Sequence, residues 1–154
     1  MERSNRLMVA AVQLQPSRSV EDSLNTTSKM ISRAVDKGVQ LVVLPENFAH
    51  LGCVDFAAIG LAESQPQGVV RQFLSDQARQ HSIWLVAGTV PITEPGQSKP
   101  YARSLLFDPQ GKQRSSYDKI HLFDVELDKT GLNKEQQSDY RESDNFCAGS
   151  EPVL

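Results

Sequence analysis

The sequence lacks long apolar runs, cysteine motifs and an excess of charge of one sign. No apolar stretch approaches the ~18 residues that a membrane span requires, so we expect no transmembrane helix. The two cysteines, Cys53 and Cys147, are far apart and form neither a CxxC pair nor a zinc pattern, which favours free thiols in a reducing cytoplasm. The formal net charge is −3, which argues against a general nucleic-acid surface.

Targeting signals and common catalytic motifs are also missing. Arg3 and Arg6 precede the first apolar stretch, but Gln13 and Gln15 interrupt it, so we expect no signal peptide. The sequence contains no G-x-S-x-G, phosphate-cradling glycine loop, H-E-x-x-H or EF-hand pattern, and no internal repeat. A length of 154 residues with a hydrophobic fraction of 39% predicts one globular domain.

Apolar runs and helical stripes alternate in the first two thirds of the chain. Nearly continuous apolar runs predict buried strands at residues 7–12, 39–44 and 83–90, the first of them covered on both faces. Pro45 and Pro91 end the second and third strands. Helical spacing predicts one helix from Ser19 to Gly38 and another over Val69–His81. Residues 47–62 predict a loop with one short helix.

A hairpin follows these alternating elements. The pattern predicts a surface loop at residues 93–100, a strand over Tyr101–Phe107 and a returning strand at residues 112–117. A type I turn at residues 108–111 joins the two strands. The charged residues 124–144 predict a loop. The early order favours parallel strands and the later order antiparallel pairing, which together predict a mixed sheet in an α/β or α+β layered domain.

Glu46 follows the second predicted strand in the sequence Leu-Pro-Glu. A carboxylate at the carboxyl end of a parallel strand lies where open α/β sheets bind ligands. Partial burial there would raise its pKa and suit it to work as a general base. The alternative interpretation is an ordinary glutamate at a strand end that faces water or pairs with an arginine.

Lys119 and His121 share one face if their segment is extended. A rigidly held lysine can stabilise an oxyanion as a point charge, whereas the alternative is a solvated lysine on a strand. His121 could bind a metal with Asp124, or it could be a structural histidine whose hydrogen bonds are satisfied.

Together these residues lie in stretches that resemble the nitrilase superfamily of carbon–nitrogen hydrolases, and most closely its omega-amidase and deaminated-glutathione-amidase branch. The specific motifs are Leu-Pro-Glu at residues 44–46 and Tyr-x-Lys-x-His-Leu-Phe-Asp at residues 117–124. Supporting stretches occur in the family's order at residues 9–13, 86–89, 104–111 and 140–144.

The resemblance implies a four-layer α-β-β-α sandwich and a Glu–Lys–Cys triad that uses neither a metal nor an organic cofactor. Glu46 would be the general base and Lys119 would stabilise the tetrahedral intermediate. Glu142 resembles the family's second glutamate, which positions the substrate and the lysine. The implied reaction cleaves a small linear amide to a carboxylate and ammonia through a cysteine thioester. The resemblance also implies a homo-oligomer at full length. The free thiols predict a cytoplasmic protein, and the charge and the lack of a long apolar run predict no nucleic-acid or membrane partner.

The family's nucleophile lies in a Cys-Tyr-Asp-like motif after one more strand, and neither Cys53 nor Cys147 matches it. We therefore expect residues 1–154 to be the N-terminal part of a carbon–nitrogen hydrolase domain, truncated at Leu154 and inactive alone. The sandwich would be incomplete, and one sheet face would be left uncovered. One alternative is a short non-catalytic paralogue that acts as a binding or interaction protein. Another is a different enzyme that uses Cys53 or Cys147 with Glu46.

Overall fold

A mixed sheet and three helices make up most of the computed structural model, which describes residues 6–15, 17, 19–50, 52, 55–125 and 140–152. The elements in chain order are β1 (Val9–Ala11), α1 (Val20–Val35), β2 (Leu41–Val43), α2 (Phe56–Ser64), α3 (Val69–His81), β3 (Trp84–Ile92), β4 (Tyr101–Phe107), β5 (Gln113–Asp118), β6 (Asp124–Val125) and β7 (Tyr140–Arg141), followed by a 3₁₀ turn at Glu142–Asp144. Cys53, Val153, Leu154 and the interior of the predicted loop, residues 126–139, lie outside the described residues.

The sheet has the predicted mixture of strand directions. Its strand order is β1-β2-β3-β4-β5, with β1, β2 and β3 parallel and with β4 and β5 added in antiparallel fashion. Strands β6 and β7 form a separate antiparallel pair. The parallel strands are joined through helices, β3 and β4 through residues 93–100, and β4 and β5 through a short turn, as strand geometry allows.

One face of the sheet carries the core. Ala10, Val42, Leu85 and Phe107 lie in register across four strands, and Val42 and Leu85 are completely buried. The helices contribute further buried side chains to this core: Ile31 from α1, and Val70, Leu74 and Ala78 from α3. Burial of this apolar surface is the main contribution to the stability of the layer.

The opposite face is partly exposed. Val9, Leu41 and Trp84 lie in register on this face, and Val9 and Trp84 are 50% and 39% exposed. The prediction that the first strand is covered on both faces is therefore wrong for the described part of the chain. Strand β1 is an edge strand, and its alternate side chains point away from the helices because side chains on a strand alternate between faces. The expectation of an uncovered sheet face agrees with these exposures.

Local sequence signals fix several boundaries. The hydroxyl oxygen of Ser19 accepts a hydrogen bond from the backbone N–H of Asp22 at 3.2 Å, which makes it the predicted N-cap of α1. Gly38, just beyond α1, has φ +81°, a left-handed conformation that favours glycine. Helix α3 and strand β4 have the predicted bounds.

Several boundary predictions are wrong, and strands β1 and β2 are shorter than the predicted residues 7–12 and 39–44. Strand β3 continues through Pro91 to Ile92 instead of ending at the proline. Strand β2 pairs only with the start of β3, so Pro91 lies where β3 has a single strand neighbour among the described residues, a position that tolerates proline. The predicted loop at residues 124–144 contains β6, β7 and the 3₁₀ turn. These elements are too short to have an apolar period that the sequence could reveal.

Candidate active site

Glu46 lies just beyond the carboxyl end of β2, as predicted. The backbone N–H of Leu44 continues the pairing by donating to the carbonyl oxygen of Val86 at 2.9 Å, and Pro45 then ends it. The Glu46 side chain is 53% exposed. The side chain therefore projects toward solvent at the carboxyl end of the strands. The backbone of Glu46 follows directly after the paired end of β2.

Lys119 follows β5 directly and is held by its backbone on both sides. Its N–H donates to the carbonyl oxygen of Ala102 at 3.1 Å, and its own carbonyl oxygen accepts from Gly149 at 2.8 Å. A Cβ at Gly149 would overlap the carbonyl oxygen of Asp118, so the close approach of the two segments requires a glycine there. The backbone of Lys119 is thus fixed by hydrogen bonds although the residue belongs to no strand. Its side chain is 25% exposed, so the alternative of a solvated strand lysine is wrong.

The ammonium of Lys119 lies between two carboxylates. Its Nζ donates to Oε1 of Glu46 at 2.9 Å, and to Oε1 and Oε2 of Glu142 at 3.0 and 2.8 Å. The fold therefore brings together the three residues that the sequence singled out, although 73 positions separate Glu46 from Lys119. Their catalytic roles remain predictions.

Glu142 is fixed from several sides. It lies in the 3₁₀ turn after β7, and its side chain is only 6% exposed. Besides the two bonds from Lys119, its Oε2 accepts the backbone N–H of Phe123 at 2.6 Å. The adjacent Ser143 donates its N–H and its hydroxyl to the carboxylate of Asp124, at 3.0 and 2.7 Å. Glu142 is thus a buried carboxylate whose two oxygens both accept hydrogen bonds.

The local charges keep Lys119 protonated. Burial lowers the pKa of the Lys119 ammonium, but its hydrogen bonds to Glu142 and Glu46 and their negative charges outweigh that effect, so its pKa lies above the usual range. The cluster therefore presents a fixed positive donor beside a carboxylate that remains accessible. Such a pair can stabilise a developing oxyanion and move a proton.

These residues line a cleft of about 190 Å³. Its walls are formed by Glu46, Asn47, Lys119, Phe123, Tyr140 and Glu142. The rings of Phe123 and Tyr140, with centroids 6.1 Å apart, are both mostly exposed. The cleft is small and combines a charged end with aromatic walls, which suits a small polar molecule more than a macromolecule.

No thiol lines this cleft within the described part of the chain. Sγ of Cys147 lies 3.5 Å from the carbonyl oxygen of Lys99 and 3.8 Å from Oε1 of Gln97. Cys147 is a free, half-buried cysteine, whereas Cys53 lies outside the described residues. The site that the structure describes thus contains an acid, an ammonium and a second acid.

His121 does not lie on a common strand face with Lys119, because residues 119–123 belong to no strand. His121 is exposed, and the two interpretations of this histidine stay predictions. Among the described residues, no group of three His, Cys, Asp or Glu side chains could hold a metal ion. No helix in the described ranges is long and apolar enough to cross a membrane.

Two residues beside Glu46 were not singled out as site residues by the sequence. Asn47 has a positive φ of 50°, and its backbone N–H donates to the hydroxyl oxygen of Thr89 at 2.9 Å. Thr89 belongs to residues 86–89, a stretch that supports the resemblance without indicating a site residue. A hydrogen bond between residues 42 positions apart has no local sequence signature that could have revealed it.

The fold and the acid–lysine–acid cluster can be compared with those of known proteins. The sequence profile of the family described as "Carbon-nitrogen hydrolase" matches residues 8–153. The chain is 33% identical to the deaminated glutathione amidase of Yersinia enterocolitica over 145 residues, which cover 92% of this chain and 47% of that protein. It is 32% identical to the omega-amidase NIT2 of Pongo abelii over 140 residues, which cover 90% of this chain and 49% of that protein. The chain therefore belongs to the carbon–nitrogen hydrolase family.

Solved structures of the nitrilase superfamily share this fold. The Saccharomyces cerevisiae Nit3 structure superimposes with a TM-score of 0.72 and 28% identity, covering 96% of this chain and 50% of that chain. The Caenorhabditis elegans NitFhit structure gives a TM-score of 0.76 and 29% identity, covering 94% of this chain and 34% of that chain. The chain spans about half the length of the two amidases named above.

Proposed function

We propose that this chain forms part of an amidase that hydrolyses small linear amides to a carboxylate and ammonia through a cysteine thioester. The observation that carries the proposal is the position of the Lys119 ammonium, which lies 2.8–3.0 Å from oxygens of both Glu46 and Glu142 at the wall of a small cleft. Membership of the carbon–nitrogen hydrolase family supports this class of reaction.

In the first half of the proposed reaction, a thiol loses its proton to Glu46 and the thiolate attacks the amide carbonyl carbon. The carbonyl oxygen becomes an oxyanion beside the Lys119 ammonium, which stabilises the charge as it develops. Glu46 then passes the proton to the amide nitrogen, the C–N bond breaks and ammonia leaves. A thioester remains on the sulfur.

In the second half, a water molecule attacks the thioester carbon while Glu46 takes a proton from the water. The C–S bond breaks, Glu46 returns the proton to the sulfur, and the released acid loses its remaining proton to solvent to become the carboxylate. Glu46 is suited to both proton transfers because its side chain is half-exposed at the cleft wall. Glu142 is suited to a positioning role because it is buried and holds both Lys119 and the Phe123 backbone.

We further propose that Cys147 is not the nucleophile. Its sulfur contacts Lys99 and Gln97 rather than the acid–lysine cluster. The resemblance implies a thiol from outside residues 1–154, and a polypeptide of residues 1–154 alone is then expected to release no ammonia. Turnover by that polypeptide that disappears in a Cys147→Ala variant would contradict this assignment.

The cleft and the relatives support a proposal for the class of substrate. The ammonium of Lys119 lies at the cleft wall, where it can donate to a substrate oxygen. The relatives are by name a deaminated glutathione amidase and an omega-amidase. We therefore propose that the substrate is the terminal amide of a small linear carboxylic acid, of the glutaramate or deaminated-glutathione type.

The test measures ammonia release from such amides by the intact protein and by its Lys119→Met variant. Methionine is similar to lysine in length and removes only the charged donor. Loss of one oxyanion donor is expected to lower kcat by roughly 10²- to 10³-fold. A Lys112→Met variant is a matched control, because Lys112 does not line the cleft. Unchanged turnover in the Lys119 variant, or no hydrolysis of any terminal amide by the intact protein, would overturn the proposed function.

A further inference from the structure

The pairing of β3 with β4 is interrupted directly behind Glu46. Ala87 pairs with Leu105 and Val90 pairs with Arg103, so Gly88 and Thr89 together oppose the single residue Ser104. Two residues against one define a β-bulge, which bends the strand and redirects its side chains. The hydroxyl of Ser104 donates to the carbonyl oxygen of Ala87 at 2.9 Å, so this backbone acceptor beside the bulge has a hydrogen-bond partner.

The first residue of the bulge permits a close backbone contact. A Cβ at Gly88 would overlap the carbonyl of Pro45 and would lie 2.5 Å from the carbonyl oxygen of Leu44. No other residue type fits there unless the backbone shifts. Gly88 therefore lets the segment that carries Glu46 pack directly against β3.

The second residue of the bulge fixes the peptide that follows Glu46. The hydroxyl oxygen of Thr89 accepts the N–H of Asn47 at 2.9 Å, and Thr89 itself is only 8% exposed. That N–H shares a rigid plane with the carbonyl of Glu46. Asn47 has φ +50°, a left-handed conformation that asparagine adopts more readily than most residues other than glycine, and the bond from its N–H helps to hold it there.

The Glu46 side chain has little else to fix it. It is 53% exposed, and its one hydrogen-bond partner in the described part of the chain is the Lys119 ammonium. Its carboxylate can therefore reach Lys119 reproducibly only if its backbone is held in place. The bond from Leu44 to Val86 holds the backbone before Glu46, and Thr89 holds it after Glu46.

We propose that the bulge at Gly88 and Thr89 is the positioning element for Glu46, with Thr89 as a positioning residue that acts through the Asn47 peptide. The expected effect of Thr89 on turnover rests on the proposed function. The expected effect of Thr89 on the position of the Glu46 carboxylate does not. Thr89 does not line the cleft, so we expect its effect to reach the site through the placement of one carboxylate.

The test replaces Thr89 with valine, which keeps the shape and removes the acceptor, and with serine, which restores the hydroxyl. Thr27→Val is the matched control, because Thr27 is also a buried threonine whose hydroxyl bonds to a backbone group, the carbonyl oxygen of Ser23 at 2.7 Å in α1. The readout is the pKa of Lys119 in the intact protein, followed by NMR of its side-chain carbons. Glu46→Gln gives the reference value for a site without the Glu46 charge.

We expect Thr89→Val to lower the pKa of Lys119 toward the value in Glu46→Gln, because a displaced carboxylate no longer favours the ammonium. Thr89→Ser and Thr27→Val are expected to keep the value of the unmodified protein. An unchanged Lys119 pKa in Thr89→Val, or an equal change in Thr27→Val, would overturn the proposal. If Thr89→Val does not fold, hydrogen exchange of the unmodified protein decides, since an unprotected Asn47 amide would also overturn it.

Turnover provides a second and separable readout. We expect Thr89→Val to lower kcat by roughly 10- to 100-fold with little change in KM, since a misplaced catalytic group loses rate rather than substrate affinity. Thr89→Ser is expected to recover most of the loss. If the intact protein hydrolyses no amide, the proposed function fails, but the pKa comparison still decides whether Thr89 positions Glu46.

Discussion

The two carboxylates that hold Lys119 lie at similar distances from its ammonium but in different surroundings. Glu46 is 53% exposed and has one hydrogen bond from the described residues, the bond from Lys119. Glu142 is 6% exposed and accepts two bonds from Lys119 and one from the backbone N–H of Phe123. One acid is accessible, and the other is part of the packed structure.

This difference supports a division of labour in the proposed reaction. A buried carboxylate whose two oxygens already accept hydrogen bonds is poorly placed to exchange protons with a substrate, but it can fix the lysine. A half-exposed carboxylate can exchange protons, but it needs its backbone to be fixed. The molecule meets that need with the bulge in β3 for Glu46 and with side-chain hydrogen bonds for Glu142.

The largest expected effect is on turnover. Glu46→Gln removes the proposed base while it keeps the shape of the side chain, and we expect kcat to fall by roughly 10²- to 10⁴-fold. The free energy of unfolding should change by less than about 1 kcal/mol, because an exposed ion pair contributes little. Ammonia release and urea unfolding of the intact protein measure the two quantities. Full activity, or a large loss of stability, would break the comparison.

The next effect tests how the Glu46 backbone is held. Gly88→Ala places a Cβ against the Pro45 carbonyl, and we expect a loss of about 3 kcal/mol in the free energy of unfolding as the segment is forced away. Gly38→Ala is the control, because a Cβ there meets nothing within 4 Å. Its left-handed backbone should cost about 1 kcal/mol. Equal losses in the two variants would show that the close contact is not important.

A smaller effect is expected at the buried acid. Glu142→Gln keeps an oxygen for the Phe123 N–H but loses the charge that faces Lys119, and we expect about 2 kcal/mol lower stability, the contribution of a charge-assisted hydrogen bond. The loss should exceed that of Glu46→Gln in the same urea unfolding experiment. If the two glutamine variants were equally stable, the distinction between a holding and an accessible acid would fail.

The sequence predicted elements with strong local signals. The apolar stripe of α3 and the bounds of β4 follow from periodicity that a single segment contains, and the cap of α1 follows from Ser19. Strand β1 was predicted at six residues and spans three, because its apolar run does not reveal that it is an edge strand. Strands β6 and β7 depend on hydrogen bonds between distant segments and have no period of their own.

The site was predictable in part. Glu46 and Lys119 could be singled out from their contexts, and Glu142 from the resemblance alone. The contacts that hold them could not be predicted in the same way. The bond between Asn47 and Thr89 and the approach of Gly88 to Pro45 arise only once two strands are paired with a bulge at a particular position. Such contacts are set by the register of the sheet rather than by any one segment.

The smallest expected effect is a difference in pH dependence between the contacts that hold Glu142 and those that hold Glu46. Hydrogen bonds from the N–H and the hydroxyl of Ser143, beside Glu142, hold the pKa of Asp124 below its usual range. Their contribution to stability is therefore present above the unfolded pKa of about 4 and is lost as the pH falls through the lower folded pKa. The Thr89 bond beside Glu46 does not titrate in this range.

We therefore expect the stability difference between the unmodified protein and Asp124→Asn to be largest above pH ~4 and to vanish in stronger acid. Urea unfolding at a series of pH values measures it. A difference that stays constant throughout the acid range would mean that Asp124 does not hold the Glu142 turn through its charge, and both acids would then rest on contacts that do not titrate.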